Sequence, residues 1–382
     1  MAKAVTKNQG RAATRNDEFS AKVKKIRAYL RQHGLGGVLL STQALFAWAT
    51  GGRDNHVVLG SDNGFAQLLV TPEEVVVLAT TIEMPRLLEE EFADTKGLRI
   101  QLTAYPWFKD GALDHELQKI LQGRVFASDS GLGARLTDDF IAMTFALTPT
   151  EVERYRVLGR DCSLAMEEAL AEVKPGDTEH HLAGLICARM WDHSVRPQLS
   201  LVASDERAYK FRHPIPQNKK IKKHILAVLC GKRGGLITNV TRMLHFGRKL
   251  PDDLRRKHDA VCSVDMAFNA ATRVGVPLKD VFAAGIAEYE AQGFAQEWKL
   301  HHQGGPTGYQ GRSYLGRPTE DRPVLEQQAF AWNPSIAGTK SEDTILVTAS
   351  GPEFLSAPTR RWPAVEVKRN GKTYRRADIF LR

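Results

Sequence analysis

LTPTEVERYRVLGRDCSLAMEEALAEVKPGDTEHHLAGLICARMW, residues 147–191, divides the chain. Thr148 suits a helix N-cap, Pro149 suits the first helical position and Glu151 completes a capping box, so a new helical unit starts here. The helix runs through EVERYRVLGRDCSLAMEEALAEV and stops at Pro175-Gly176. One hundred positions after EVKPGDTEHHLAGLICARMW (172–191) stands TRVGVPLKDVFAAGIAEYEA (272–291). In both, a helix ends, a Gly/Pro turn follows, and the next helix has the same apolar rhythm: Leu182, Ala183 and Ile186 against Phe282, Ala283 and Ile286. The echo predicts a domain of two related αβ halves with a site between them. QLSLVAS, HILAVLCG, QAFAWNPSI and DTILVTAS supply its strands.

Upstream, the pattern alternates over short distances. Phe19 to His33 reads as an amphipathic helix ending at Gly34, GGVLLST (36–42) as a buried strand, and FAQLLVTPEEVVVLAT (65–80) as a hairpin turning at Pro72-Glu73-Glu74. MPRLLEEEF (84–92) reads as a helix, and RIQLTAY (99–105) and RVFASD (124–129) as strands flanking the helix DHELQKIL (114–121). The expectation is a disordered basic tail over residues 1–20, an α/β domain over 21–147 and an α+β domain over 148–382.

A chain of 382 residues suits two domains, and 42% hydrophobic with 25% charged residues is a globular composition. No apolar run approaches the roughly 20 residues of a membrane span, and the N-terminus lacks the apolar core of a secretory signal. Cys162, Cys187, Cys230 and Cys262 are scattered, which predicts free thiols in a reducing cytoplasm rather than a disulfide frame or a zinc site. The net charge of +9 collects in the tail, in Lys219, Lys220, Lys222 and Lys223, and near the C-terminus at Arg360, Arg361, Arg375, Arg376 and Arg382. Such runs read as solvated faces, and no aromatic residues interleave with them as a nucleic-acid surface requires.

Five segments carry a family likeness. ERYRVLGRDCSLAMEEALAEVKPGDTEHHLA (153–183) is similar to the opening of the pita-bread catalytic domain. GLITNVTRM (235–243) resembles GY-x-x-D-I-T-R-T, and HHQGGPTGY (301–309) resembles HH-x-GHG-I-G. AWNPSI (331–336) resembles x-x-EPGI, and KSEDTILVT (340–348) resembles R-x-EDT-x-LVT. They occur in the family's order, and GLGGVLLSTQALFAWATGG (34–52) resembles its smaller N-terminal domain. The chain is thereby identified as a divergent member of the creatinase/prolidase/aminopeptidase P family over about nine-tenths of its length. The resemblance implies a homodimer.

Peptidases of that family hold two metal ions through two Asp, one His and two Glu. Matched segment to segment, the first Asp falls near Leu229 or Cys230, the second on Asn239, the His on Gly305, and the Glu pair on Asn333 and Glu342. One carboxylate with two neutral amides is a poor cage for two mutually repelling dications, so no metal and no other cofactor are expected. The resemblance places His213 and His301 on the substrate side, puts Arg312 where a further histidine is usual, and keeps the Thr241-Arg242 pair.

Creatinase uses the same fold to hydrolyse a C–N bond with His and Glu in place of metals. That likeness implies a metal-independent hydrolase of an amide or amidine in a small nitrogenous or dipeptide-like substrate. His213, Glu342 and His301 would be catalytic, with His213 shuttling a proton near neutrality. Asn239, Asn333, Arg312 and Tyr309 would bind substrate, joined by Arg53 or His56 from the loop Gly51–His56, which in dimeric relatives leans over the partner's site. Creatinase keeps a Glu where this chain has Asn333, so creatine is not expected. Cys230 is a weaker candidate, as a nucleophile. Gly304-Gly305-Pro306 is expected to interrupt regular structure and admit a ligand to the backbone. The alternatives are an inactive member that binds a partner in the emptied cleft, and a two-metal Xaa-Pro aminopeptidase.

Overall fold

The computed structural model describes residues 14–382, so residues 1–13 of the expected tail lie outside the described residues. Helix α1 (Arg15–His33) starts inside that expected tail, ahead of Phe19. The reason is local: the Thr14 hydroxyl accepts from the Asp17 backbone N–H, and the Asp17 carboxylate accepts from the Thr14 N–H, a reciprocal capping box. Phe19, Val23, Ile26 and Leu30 then give the helix one buried face.

The first domain continues with β1 (Gly37–Thr42), α2 (Gln43–Ala49), β2 (Asn63–Val70), β3 (Val75–Thr80), α3 (Met84–Arg86, extended by a π turn to Glu91), β4 (Gln101–Tyr105), α4 (Ala112–Leu121), β5 (Phe126–Ser128), β6 (Ala134–Arg135) and α5 (Asp138–Ala142). Six strands form one mixed sheet in the order β4-β3-β2-β1-β5-β6. The hairpin turns where Pro72 interrupts the ladder, pairing Val70 with Val75.

The second domain consists of two similar halves. The first has α6 (Pro149–Glu172), α7 (Glu179–Asp192), β7 (Arg196–Ser204), α8 (Glu206–Lys210), β8 (His224–Arg233) and β9 (Leu236–His245). The second has α9 (Asp252–Ala271), α10 (Leu278–Ala291), β10 (Gly304–Thr307), β11 (Ala329–Trp332), β12 (Ser335–Ile336), β13 (Thr339–Lys340), β14 (Asp343–Thr348) and β15 (Gly351–Phe354). The echo in sequence is an echo in hydrogen bonding. Gly176 and Gly275, both at positive φ, close the corresponding turns by donating to Ile221 O at 2.9 Å and Val324 O at 2.8 Å. The bridges Thr178–Lys220 and Pro277–Pro323 repeat the same step.

A hairpin not foreseen from sequence, β16 (Ala364–Arg369) with β17 (Lys372–Ala377), follows, and β18 (Phe380–Leu381) pairs in parallel with β9. Arg376 does not lie on a solvated face: it is fully buried and ion-paired to Asp265 and Asp343. No helix among the described residues is long and apolar enough to cross a membrane.

The two domains meet through buried charge. Lys22 of α1 reaches Glu151 of α6 at 2.9 Å, Tyr309 donates to the same oxygen at 2.6 Å, and Glu18 takes Arg154 at 2.6 Å. Burial alone would raise the Glu151 carboxyl, but Lys22, the Thr148 N–H and Tyr309 hold it below the usual carboxylate range. Lys22→Met therefore leaves a buried carboxylate without its cation. It should cost about 3 kcal/mol, read as a lower urea midpoint with an unchanged m-value, whereas a midpoint equal to that of the parent protein would remove this pair from the domain contact.

Candidate active site

The cleft between the halves is built by strand alternation. The β8–β9 hairpin pairs Cys230 with Asn239, and Thr241 lies two residues further along the same face as Asn239. From the opposite half comes the extended run 340–343, whose side chains also alternate. Lys340 and Glu342 meet one another, while Ser341 and Asp343 enter a buried network with Asp265, Arg376, Arg242 and Glu167. The Thr241 N–H donates to Glu342 O at 3.1 Å, joining the halves at this point.

Glu342 is 3% exposed and both carboxylate oxygens are occupied. Oε2 receives the Lys340 ammonium at 2.9 Å and the Thr241 hydroxyl at 2.8 Å, and Oε1 receives the Arg312 guanidinium at 3.0 Å. Burial alone would raise this carboxyl, but Lys340 and Arg312 hold it down at about 2. Asn239 is satisfied within the protein: Nδ2 donates to Thr307 at 3.3 Å, and Oδ1 accepts the Cys230 thiol at 3.0 Å. Burial pushes that thiol up to about 12, so Cys230 is a protonated hydrogen-bond donor and not a nucleophile. Asn333 differs, because its buried Oδ1 has no hydrogen-bond partner among the described residues.

His213, His301 and His302 form one cluster. His301 and His213 share a hydrogen bond between their Nε2 atoms at 3.1 Å, and His302 lies against both rings, at 4.6 and 5.4 Å between centroids. Burial, reinforced by nearby Lys340, lowers the basicity of His213 and, far more strongly, that of His301; burial and Arg312 bring His302 to about 4. All three imidazoles are neutral at pH 7. Their ring nitrogens converge within 4.8 Å, a spacing that a transition ion could draw together.

The structure thus joins Glu342 to Arg312 and His213 to His301, with Asn239 inside β9 and Asn333 directly after β11. Within the chain, Arg53, His56 and Tyr309 hold partners outside this cluster, and Tyr309 also lines a neighbouring cavity. Arg53 is fully buried, bonded to the Thr50 and Glu91 carbonyls, Asn16 and Asp94. His56 stands 2.7 Å from Asp54, and the Tyr309 hydroxyl is committed to Glu151. Gly304-Gly305-Pro306 also corrects an expectation, since it forms strand β10. A Cβ on Gly304 would lie 2.1 Å from Ala331 O, and one on Gly305 would lie 2.6 Å from Tyr314 O. These glycines admit neighbouring backbone, not a ligand. Sequence reading missed Lys340 and the participation of His302. The available signal for Lys340 was its i, i+2 spacing from Glu342 in an extended segment, which puts both on one face.

Comparison with known proteins places this geometry. The family model described as Metallopeptidase family M24 matches residues 153–349. The Xaa-Pro dipeptidase from Bacillus anthracis superposes with a TM-score of 0.74 at 16% identity, covering 95% of this chain and 99% of that one. The N-terminal domain of the FACT complex subunit SPT16 from Cicer arietinum gives 0.69 at 12% identity, covering 90% and 97%. Agropine synthesis cyclase from Rhizobium rhizogenes is 28% identical over 178 residues; the match spans 44% of each chain, less than half the length of that relative.

The clamp on Glu342 yields a stability signature. Its folded-state pKa lies below the ordinary 4.5, so its contribution is complete above about pH 4.5 and fades as pH falls toward about 2. Lys340→Met should destabilise by roughly 3–5 kcal/mol at pH 7. Denaturant titrations of Lys340→Met, Glu342→Gln and the parent across pH 2–7 check both statements, the Gln variant being expected to lose this part of the acid dependence.

Proposed function

Because this chain belongs to metallopeptidase family M24, we propose that it is an enzyme in which protein cations and imidazoles have taken over from a dinuclear metal centre. In this reading it hydrolyses a C–N bond, amide or amidine, in a small nitrogenous or dipeptide-like substrate. The supporting observation is the clamp on Glu342. At the family's second Glu position, both oxygens already carry protein donors, Lys340 and Arg312 among them. A divalent ion there would have to displace two cations and bind beside them. The other matched positions, Asn239, Gly305 and Asn333, offer no charged ligand.

The chemistry follows from the protonation states. Neutral His213, at the exposed end of the cluster, takes a proton from water and returns it to the departing nitrogen. His301 fixes the His213 ring through the Nε2–Nε2 hydrogen bond, and its own burial keeps it from competing for the proton. Lys340 and Arg312 place positive charge where an oxyanion develops, a preorganised term worth several kcal/mol in such sites. The free Oδ1 of Asn333 is the acceptor available for a substrate N–H.

The cyclase relative supports a second reading with the same machinery. A hydroxyl of the substrate itself would replace water as the nucleophile, closing a ring instead of hydrolysing the bond.

A panel of small amides, amidines and their hydroxylated analogues, assayed in excess chelator, tests the proposal. Turnover should persist in chelator, fall by about 10²–10⁴-fold in His213→Ala, and decline only below about pH 6.5, because the His213 pKa is lowered from that value. Ring closure with hydroxylated substrates alone would select the second reading. Loss of activity in chelator with recovery on adding manganese would overturn the metal-free mechanism in favour of a two-metal peptidase.

A further inference from the structure

A second cavity, of about 510 Å³, opens beside the cleft where the two domains face one another. Gln43 and Asp62 of the first domain, Cys230 and Lys232 of β8, and Gln310 and Gly311 of the loop after β10 line it. It adjoins the reaction centre directly. The Cys230 thiol donates to Asn239 at 3.0 Å, and Gly311 O accepts from Arg312 at 2.5 Å.

No carboxylate is in contact with the Lys232 ammonium, although Asp62 on the wall and Asp54 behind Arg196 lie close enough to favour its charge. Lys232 is 7% exposed, and the partner of its ammonium is a neutral amide oxygen, Oε1 of Gln43, at 3.2 Å. That oxygen is shared, since Arg196, 6% exposed, donates to it at 3.0 Å. Arg196 has a carboxylate in Asp54 at 3.0 Å, but its Nε is buried without a hydrogen-bond partner among the described residues. Lys232 makes no ion pair within 4.0 Å among the described residues. Burial, with Arg196 nearby, brings its ammonium down to about 8. As a tie between domains the arrangement is poor, because one shared neutral hydrogen bond does not offset the cost of burying a cation. As part of a binding site it sets on a cavity wall an ammonium that no carboxylate touches.

We propose that this cavity binds the carboxylate of the substrate, with Lys232 as its principal ligand and Gln43 holding Lys232 in place. Asp62, exposed on the cavity wall, sets the charge limit: a single carboxylate is accepted, whereas a phosphate dianion meets repulsion. The substrate class narrows accordingly to a carboxylate-bearing amide or amidine. This rests on reading the adjoining cleft as the reaction centre, but the subsite is measurable without turnover.

Calorimetric titration with N-acetylglycine at about pH 7.5, where Lys232 is still mostly charged and phosphate is largely the dianion, is the test, with inorganic phosphate at matched ionic strength as the competitor class. The full chain should bind N-acetylglycine, and more tightly than phosphate. Lys232→Met and Lys232→Gln should each weaken that binding by at least about tenfold, and Lys232→Arg should retain most of it. The unliganded Lys232→Met protein should melt at or above the parent temperature, since it sheds an uncompensated buried charge. If Lys232→Met fails to fold, Lys232→Gln decides. No binding by the parent, equal affinity in the Gln variant, or phosphate binding as tightly would overturn the subsite. Failure here leaves proton transfer by His213 untouched, and an inactive His213→Ala protein that still binds N-acetylglycine separates the two readings.

Discussion

A carboxylate taken out of water must be answered by positive charge or by hydrogen bonds, and the requirement at Glu342 organises the cleft. Lys340 comes from the same extended segment, Thr241 from the facing half and Arg312 from the loop after β10, so three separate segments are fixed around one side chain. Because side chains alternate along residues 340–343, the same segment sends Asp343 the other way, into Arg242 and Arg376. One face of the strand therefore builds the cleft while the other anchors it to α6 through Glu167. A change at either face is felt on both.

In the proposed reading, the same logic separates this cleft from that of a two-metal enzyme. A dinuclear centre gathers anionic ligands around cations supplied from solution. Here the cations are covalently part of the chain, and the neighbouring positions are amides and glycine. Such an arrangement loses the ability to lower the pKa of a bound water by direct coordination. It gains a fixed positive field and a set of imidazoles whose burial keeps them neutral. Among the described residues, the Asn333 Oδ1, the Nδ1 atoms of His301 and His302 and the Arg312 Nε are buried without a hydrogen-bond partner, and Lys232 has a neutral one.

Much of this was legible from residue order. The capping box at Thr148, the proline-ended hairpin at Pro72 and the repeated Gly turns at Gly176 and Gly275 are local rules, and local rules survive folding. The placement of Glu342 and His213 came through segment matching and needed no tertiary information. The burial of Arg53 and Tyr309 was not legible, because polar loop residues look exposed in sequence while their partners, Asp94 and Glu151, are distant along the chain. Gly304 and Gly305 were read as making room for a ligand, and only the strand register showed that neighbouring backbone fills that room. Lys340 was missed for the opposite reason: lysine is expected at the surface, and nothing local marks one that is buried against a carboxylate.

The central claim is that protein cations stand where metal ions would otherwise sit, and elemental analysis of untagged protein addresses it directly. The account predicts a metal content near zero per chain that stays near zero after soaking in manganese, cobalt or zinc followed by desalting. Two tightly held ions per chain would contradict it outright. A single ion lost in His302→Ala would also contradict it, by making the three imidazoles a metal site instead of a proton relay.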